Sequence, residues 1–364
     1  MKYYKLFALP LFLLLLNSCN ENPPVVQEGY AVLKIVAIGD TSLGSQVPQY
    51  ALLKNAKVIL TSEYGSMVKY TDEKGVLTVN GIPSSTYSIS IRKTHPSFPN
   101  ILLVGNLTDQ VVTSGKVVVD TIKAAQIANT GIAINEIYSC GPVNSVFFFY
   151  DIFFELYNYS DEIKYLDGMM IMRVSGNSAG KGAGADEGDD GDIDGVTYAY
   201  KFPGNPGEKN YPFLPNTFKV LAVTAIDHRK TVPSSIDLSH ADWEFYNQYS
   251  TADFDNQNVP NLINMRPDNH TEFLVGLNSD IIMLSSGVDS NWEDGIDVNT
   301  VIDAVEYRGS ATIRKTADPR IDKGFVVGPS KYSGKSMQRR ELGVDTNNST
   351  LDFEIIPVPT PGRQ

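Results

Sequence analysis

The segment Thr86-Tyr-Ser-Ile-Ser-Ile91 carries the clearest secondary-structure signal in the chain. Its apolar residues, Tyr87, Ile89 and Ile91, alternate one for one with small polar residues. Because side chains of a β-strand point alternately to opposite faces, this period of two predicts a strand with one buried face. We therefore expect a sandwich of strands around it, with the apolar face turned inward.

Short apolar runs recur on both sides of this segment, between residues 29 and 123. Gly, Pro, Asn or Asp separates them at the spacing typical of a small sandwich. The runs cover residues 31–36, 56–61, 76–79, 101–104 and 117–122. The chain is also rich in Tyr and Phe, with 19 and 16 residues, which favours strands. The sequence thus predicts an all-β fold that begins with a β-sandwich over residues 29–123.

Two neighbouring motifs in this region resemble a known family. Thr71-Asp-Glu-Lys-Gly75 and then Ile82-Pro-Ser-Ser-Thr-Tyr-Ser-Ile89 are similar to the T-D-x-x-G hairpin and G-x-Y-x-I strand of prealbumin-like, carboxypeptidase-regulatory-like domains. Asp72 and Gly75 suit a tight turn, and Tyr87 can close one end of a small sandwich. The resemblance implies a prealbumin-like module.

The pattern changes at Gly131, after residues 124–130, which we interpret as a linker between domains. Ile132-Ala-Ile-Asn-Glu-Ile137, Phe153-Phe-Glu-Leu-Tyr-Asn158 and the closing Thr360-Pro-Gly362 resemble, in order, the motifs of the lamin tail domain. The further matching segments are residues 160–168, 216–224, 281–284, 301–307 and 334–353. The resemblance implies a second, immunoglobulin-like sandwich over residues 131–362, with insertions at about 175–212 and 227–262. It also implies a bacterial lipoprotein that joins the two modules.

The second insertion is expected to hold a helix. Ser239 and Asp242 are spaced as in a capping box, which predicts that the helix begins at about Trp243.

The first 19 residues have the organisation of an export signal. Lys2 and Lys5 precede an apolar run over residues 6–16, which is too short to span a bilayer. The run ends at Leu16-Asn-Ser-Cys19, which resembles the bacterial lipobox and implies that Cys19 is lipidated and becomes the first mature residue. Residues 20–28, with a double proline, then form a short tether. The alternative is an ordinary cleaved signal.

Composition narrows the classes of partner. The chain has 364 residues and a formal net charge of −12, which argues against nucleic acid and anionic lipid headgroups. It has two cysteines, so a lipidated Cys19 leaves Cys140 without an intramolecular disulfide partner. After the export signal, no stretch is long and apolar enough to be a membrane helix. We expect a soluble body held at a membrane by its lipid.

The catalytic motifs in the chain lack the context that they need. Ser178 lies in a G-x-S-x-G pattern, but the glycine-rich and acidic residues after it cannot form the helix of a nucleophile elbow. Gly334-Lys-Ser336 lacks the correctly spaced first glycine of a P-loop, and the four histidines are scattered. We assign no catalytic residue and predict that the protein is not an enzyme.

One acidic segment has the spacing of metal ligands. Asp190, Asp192 and Asp194, followed by Gly195, match the first half of a calcium loop. Lys201 stands where the bidentate glutamate of an EF-hand would lie, so a full EF-hand is excluded. The segment is either a weak calcium site or a solvated acidic loop, and no other cofactor is indicated.

These features predict a non-catalytic, lipid-anchored protein of the cell envelope, in the outer membrane, with a binding or adhesive role. The sequence does not indicate which face of the membrane the body occupies, nor whether the partner is a protein or a glycan. The alternative is a glycan-binding accessory lipoprotein of an outer-membrane uptake system; a secreted hydrolase is less favoured. For the glycan alternative, the stacking aromatic residues would be Trp243, Trp292, Tyr246 and Tyr249.

Overall fold

The computed structural model describes residues 31–42, 49–98, 101–128, 130–143, 150–174, 190–313 and 315–364. Within these ranges the fold is nearly all β. The helical elements are two single-turn 3-10 helices, η1 (His228–Lys230) and η2 (Val298–Thr300), and one short α-helix, α1 (Ser349–Asp352). None of the described helices has the length and apolar character needed to cross a membrane. The predicted all-β, sandwich-like class is confirmed.

The first eight strands form one continuous sheet. Their order is β2-β1-β8-β7-β6-β3-β4, with β5 also paired to β1. Neighbours are antiparallel, except that β1 and β8 run parallel. The strands are β1 (Ala31–Asp40), β2 (Tyr50–Leu52), β3 (Lys57–Ser62), β4 (Gly65–Tyr70), β5 (Val76–Ile82), β6 (Ser85–Thr94), β7 (Ile101–Val112) and β8 (Val117–Ala128).

The buried faces of β1, β3 and β6 share one apolar core, as expected when a sheet folds over on itself. On β6, Tyr87, Ile89 and Ile91 are all buried, so the predicted alternation is confirmed. The Tyr87 hydroxyl donates to the Pro83 carbonyl at 3.0 Å. The opposite face departs from the expectation, because Ser90 is buried as well.

Strand β8 extends beyond the point where the sequence predicted a linker. Ala125 pairs with Val104 and Gln126 with Leu103, so residues 124–128 continue the sheet. The linker interpretation is therefore wrong over this range. The segment lacks a run of large apolar residues, but backbone pairing with β7 and burial of the small Ala124 side chain hold it in the strand.

The remaining strands form two six-stranded sheets and two short ribbons. One sheet has the order β17-β16-β10-β9-β23-β24 and the other β18-β14-β12-β19-β21-β22; β11 pairs with β15, and β13 with β20. The strands are β9 (Ile132–Tyr138), β10 (Phe153–Asn158), β11 (Lys164–Tyr165), β12 (Met170–Arg173), β13 (Asp192–Ile193), β14 (Tyr198–Lys201), β15 (Pro212–Phe213), β16 (Phe218–Ala222), β17 (Trp243–Glu244), β18 (Ile263–Asn264), β19 (Asp280–Ser285), β20 (Ile296–Asp297), β21 (Val301–Arg308), β22 (Val326–Val327), β23 (Ser336–Arg339) and β24 (Phe353–Ile356).

A single large core joins the two six-stranded sheets. It combines Phe154 and Leu221 from one sheet with Ile282 and Val305 from the other. Within the segment predicted as the first insertion, β14 pairs with β12 and β18, so that stretch contributes a strand to the sandwich.

The helix predicted to begin near Trp243 is wrong. Trp243 and Glu244 form β17, which pairs in parallel with β16. Asp242 does not cap a helix: its Oδ2 accepts from the Val220 amide at 2.9 Å and its Oδ1 from Lys219 Nζ at 2.7 Å. The same carboxylate that suggests a capping box therefore fixes the chain against the edge of the sheet.

Two buried glutamates connect the start of this sandwich to residues far downstream. Glu136 on β9 lies opposite Glu155 on β10. The Thr360 amide donates to Glu136 Oε1 at 3.0 Å, and the Gly362 amide donates to Glu155 Oε2. Burial raises the pKa of Glu155 to about 8 and also raises the pKa of Glu136. We call Glu136 and Glu155 the glutamate pair; its contacts are structural, since backbone amides occupy the carboxylates.

Candidate functional site

A cavity of about 340 Å³ lies where the first sheet meets the second sandwich. Ile101 and Gln126, from β7 and β8, line one side. Residues 298, 299, 301–303, 320, 321, 345 and 347 supply the other side, and we call this space the junction cavity. Its volume falls within the range of small-molecule sites. Hydrogen bonds from side chains to backbone carbonyls fix the junction near it, since Asn106 Nδ2 donates to the Thr346 carbonyl at 2.9 Å and Arg92 Nη1 to the Gly343 carbonyl at 2.9 Å.

Beneath the cavity one buried cation faces three carboxylates. Arg339 Nη2 lies 2.7 Å from Asp303 Oδ2, and its Nη1 lies 3.0 Å from Asp352 Oδ2 and 3.6 Å from Asp345 Oδ1. Loss of hydration raises the pKa of Asp303, and the neighbouring Asp345 adds to that rise, while Arg339 opposes it. We call these four residues the Arg339 cluster. With every carboxyl ionised, it carries more negative than positive charge.

Two of these carboxylates, Asp303 and Asp345, also line the junction cavity, and one oxygen of each accepts no hydrogen bond from the described residues. Asp303 Oδ2 accepts from Arg339 and from the Ile134 amide, and Asp345 Oδ1 accepts from the Asn347 amide at 2.9 Å. Among the described residues no donor reaches Asp303 Oδ1 or Asp345 Oδ2. The Asp303 side chain is 4% exposed and that of Asp345 is 9% exposed. Neither oxygen is among the fully buried polar atoms that lack a partner, so both are open to solvent and can accept from a bound molecule.

The other polar groups of the lining add acceptors more than donors. Gln126 Nε2 donates to the Asp40 and Ser42 carbonyls, at 3.0 and 3.4 Å, and Asn347 Nδ2 donates to the Arg320 and Pro319 carbonyls, at 3.1 and 3.4 Å. The amide atoms left for a ligand are therefore the oxygens. Arg320, the cation in the lining, is paired with Asp318 at 3.0 Å.

The acidic segment that the sequence selected lies beside this cavity. Its strand β13 pairs with β20, and η2, which follows directly, contributes Val298 and Asn299 to the lining. The Val298 amide donates to the Gly191 carbonyl at 2.9 Å. Loss of hydration raises the pKa of Asp192, and the charges of nearby aspartates, Asp190 first among them, raise it further.

Calcium binding by Asp190, Asp192 and Asp194 stays a prediction. Among the described residues, no group of three or more His, Cys, Asp or Glu side chains is arranged to hold a metal ion. The acidic residues just before Asp190 lie outside the described ranges. Asp190 is exposed, whereas Asp194 is buried.

The other residues selected from sequence take varied positions. Cys19 and Ser178 lie outside the described residues. Ser336 is buried in β23 and donates through Oγ to the Ile137 carbonyl at 3.0 Å, which is a structural role. His228 is buried, with Nε2 2.9 Å from the Thr224 carbonyl.

The four aromatic residues proposed to stack on sugars do not form one platform. Trp243 is buried and packs edge-on against Phe202 at a centroid distance of 5.1 Å. The Arg266 guanidinium lies 4.5 Å from the centroid of the partly buried Trp292 ring. Tyr246 is half-buried, and Tyr249 is 39% exposed.

A second surface combines exposed aromatic side chains with acids. Tyr150, Tyr249 and Phe254 are exposed, and the charges of Asp253 and Glu272 both act on Tyr150. Burial raises the pKa of Asp253 to about 6, and the Glu272 carboxylate contributes to that shift. We call these five residues the aromatic-acid surface. Asn247 joins its two loops, because Nδ2 donates to the Thr271 carbonyl at 2.7 Å.

Comparison with known proteins finds a family model that matches part of the chain and a solved structure of similar fold. A family model described as a protein of unknown function (DUF4876) matches residues 215–291. The crystal structure of a DUF4876 family protein from Bacteroides thetaiotaomicron is similar over 89% of this chain and 94% of that one, at 21% identity and a TM-score of 0.54. This likeness is one of fold. No curated protein matches the chain.

Two further solved structures are similar at a lower level. A putative carbohydrate binding protein from Bacteroides uniformis covers 40% of this chain and 60% of its own length, at 17% identity and a TM-score of 0.19. The Bacillus anthracis TIE protein covers 53% of this chain and 28% of its own, at 16% identity and a TM-score of 0.21. These scores are too low to establish a shared fold.

Proposed function

We propose that this chain is a non-catalytic binding protein of the bacterial cell envelope and that its ligand occupies the junction cavity. The observation that carries the proposal is the pair of carboxylates, Asp303 and Asp345, which line the cavity and each have one oxygen without a donor among the described residues. The network around them is bound to Arg339 and to backbone amides, which suits fixed recognition of a ligand rather than proton transfer.

Envelope location is part of the same proposal. Its support is the sequence of the first 19 residues, where an apolar segment ends on Cys19. We infer lipidation at Cys19 and outer-membrane attachment, with residues 20–28 as the tether. We also propose that the sandwich over residues 29–123 is prealbumin-like and that the one over residues 131–362 is lamin-tail-like, on the motifs that they carry.

A binding test with a blocked cavity examines the proposed site. Asn299 lines the cavity and is exposed, so Asn299→Trp should fill the cavity without entering the core. We expect fractions of cell-envelope glycans, peptides and small metabolites to include at least one that raises the melting temperature of the wild-type chain but not of the variant. If no fraction acts, or if Asn299→Trp responds like the wild type, the cavity is not the binding site.

Glycan binding is the second candidate, and the aromatic-acid surface favours it. Exposed aromatic rings beside carboxylates can stack on a sugar and accept from its hydroxyls. Tyr249→Ala and Phe254→Ala together should abolish binding to an immobilised polysaccharide if this surface is used, and Asn299→Trp should leave that binding unchanged. If Asn299→Trp abolishes the binding and the double variant does not, glycan binding belongs to the junction cavity.

A further inference from the structure

The junction cavity offers a ligand mainly negative and acceptor groups. Asp303 Oδ1 and Asp345 Oδ2 lack a donor among the described residues, and the amide nitrogens of Gln126 and Asn347 already donate to carbonyls. A molecule that binds here must therefore supply donors. An anion would meet two carboxylates and one guanidinium that Asp318 already pairs.

The charges around the cavity also favour a cationic ligand. The Arg339 cluster holds one guanidinium against three carboxylates. The loop that carries Asp190 and Asp192 lies next to η2 at the edge of the cavity. The whole chain has a net charge of −12, which would also draw cations to the surface.

The shape of the cavity separates an organic cation from a metal ion. Its volume of about 340 Å³ is far larger than a dehydrated ion requires, and among the described residues no group of acids is arranged to hold a metal. Ile101, Ile302 and Ile321 add an apolar wall beside the carboxylates. An aliphatic chain can pack on that wall while its charged end reaches Asp345.

We propose that the junction cavity binds a protonated alkylamine, with the ammonium group donating to Asp303 Oδ1 and Asp345 Oδ2 and the aliphatic stem packed on the isoleucines. The proposal rests on the proposed function, because it names the chemical class of the ligand for the same cavity. Two sources share this chemistry: a free amine, such as a diamine, and a lysine side chain of a partner protein.

The test compares amines with neutral molecules of the same shape. Calorimetry on the full chain in mild detergent, at constant ionic strength, would use 1,4-diaminobutane against 1,4-butanediol. A second pair would be acetyl-Gly-Lys-Gly-amide against the same peptide acetylated at Nζ. We expect at least one amine to bind and its neutral counterpart not to bind. The diamine alone would indicate a free amine, and the peptide alone would indicate a partner protein.

Two variants assign the binding to the cavity. Asp345→Asn should weaken binding of the amine about tenfold or more, since it removes the negative charge that strengthens the hydrogen bond to the ammonium group. Asp268→Asn removes the same charge from an exposed residue outside the lining and should leave the affinity within about twofold. The comparison of amine with diol uses the wild-type chain alone. It therefore tests the proposal even if Asp345→Asn does not fold.

The outcomes separate the two proposals. If neutral molecules bind as well as the amines and Asn299→Trp abolishes their binding, the cavity is a binding site but the amine assignment is wrong. If the amines bind equally to the wild type, to Asp345→Asn and to Asn299→Trp, they bind elsewhere and the inference is wrong. If neither amine binds at millimolar concentration, the inference is also wrong, and only the screen against Asn299→Trp then bears on the cavity.

Discussion

Replacing Arg339 with methionine should strongly destabilise the second sandwich. Arg339 is about 1% exposed, and methionine would keep most of its volume while removing the charge. The substitution leaves Asp303 and Asp352 without their cation. It also removes the donor to the Ile134 carbonyl, which Arg339 Nε reaches at 2.7 Å.

The size of the effect follows from the buried groups left behind. Breaking a buried ion pair by removing one partner costs about 3–5 kcal/mol. The unpaired Ile134 and Val344 carbonyls add to this loss, since an unsatisfied buried group costs about 1–3 kcal/mol. We therefore expect the free energy of unfolding to fall by at least about 3 kcal/mol at pH 8.

The loss in free energy of unfolding caused by Arg339→Met should be smaller at acidic pH. Burial raises the pKa of Asp303 and Asp352, and Arg339 opposes the rise. Without Arg339 both folded-state values rise further above the unfolded value. A carboxyl of this kind stabilises the fold below its unfolded pKa, and the contribution is lost as the pH rises through the folded pKa. Arg339→Met should thus lie closer to the wild type at pH 5 than at pH 8.

Urea denaturation followed by tryptophan fluorescence measures this change. The two tryptophans, Trp243 and Trp292, both lie in the second sandwich, so the signal reports on that part. Arg340→Met is the matched control: Arg340 is exposed, its contact with Glu354 is 3.4 Å, and its loss should cost less than about 1 kcal/mol. A loss below about 1 kcal/mol for Arg339→Met, or one that is the same at pH 5 and pH 8, would refute the argument.

Three further predictions concern the anchor, the two sandwiches and calcium. Cys19→Ala should release the protein from the membrane fraction, and continued dependence on detergent would contradict lipidation at that residue. Chains covering 29–128 and 131–364 should each melt cooperatively; a broad transition of either chain, beside a sharp one of the whole protein, would show that the sandwiches depend on each other. Millimolar calcium should raise the melting temperature if the acidic loop binds it only in the folded state, and Asp190→Ala with Asp192→Ala should remove the rise. Equal shifts in the wild type and the double variant would leave a solvated acidic loop.

The fold was predictable wherever burial imposes a period on the sequence. Tyr87, Ile89 and Ile91 show the alternation because a single strand buries one face in the first core. The prediction of a helix near Trp243 failed because an aspartate such as Asp242 can either cap a helix or accept a hydrogen bond from the edge of a sheet. Which of these forms depends on the distant Val220 amide, and no local pattern encodes that contact.

The junction cavity could not be found from the sequence. Gln126, Asp303 and Asp345 come from three distant segments, and none stands in a motif for binding. Asp303 and Asp345 share only their acidity, which is spread over the whole chain, and Gln126 lacks even that signal. The acidic loop was recognised because its residues are close in sequence, but its nearness to the cavity depends on the pairing of β13 with β20.

The glutamate pair sets an order of events during synthesis of the protein. Glu136 and Glu155 are synthesised more than 200 residues before Thr360 and Gly362, whose amides bind them in the folded protein. Until those amides emerge, β9 and β10 cannot bury the two carboxylates without a large desolvation penalty. We therefore expect the early strands of the second sandwich to close only after the last residues of the chain have been made.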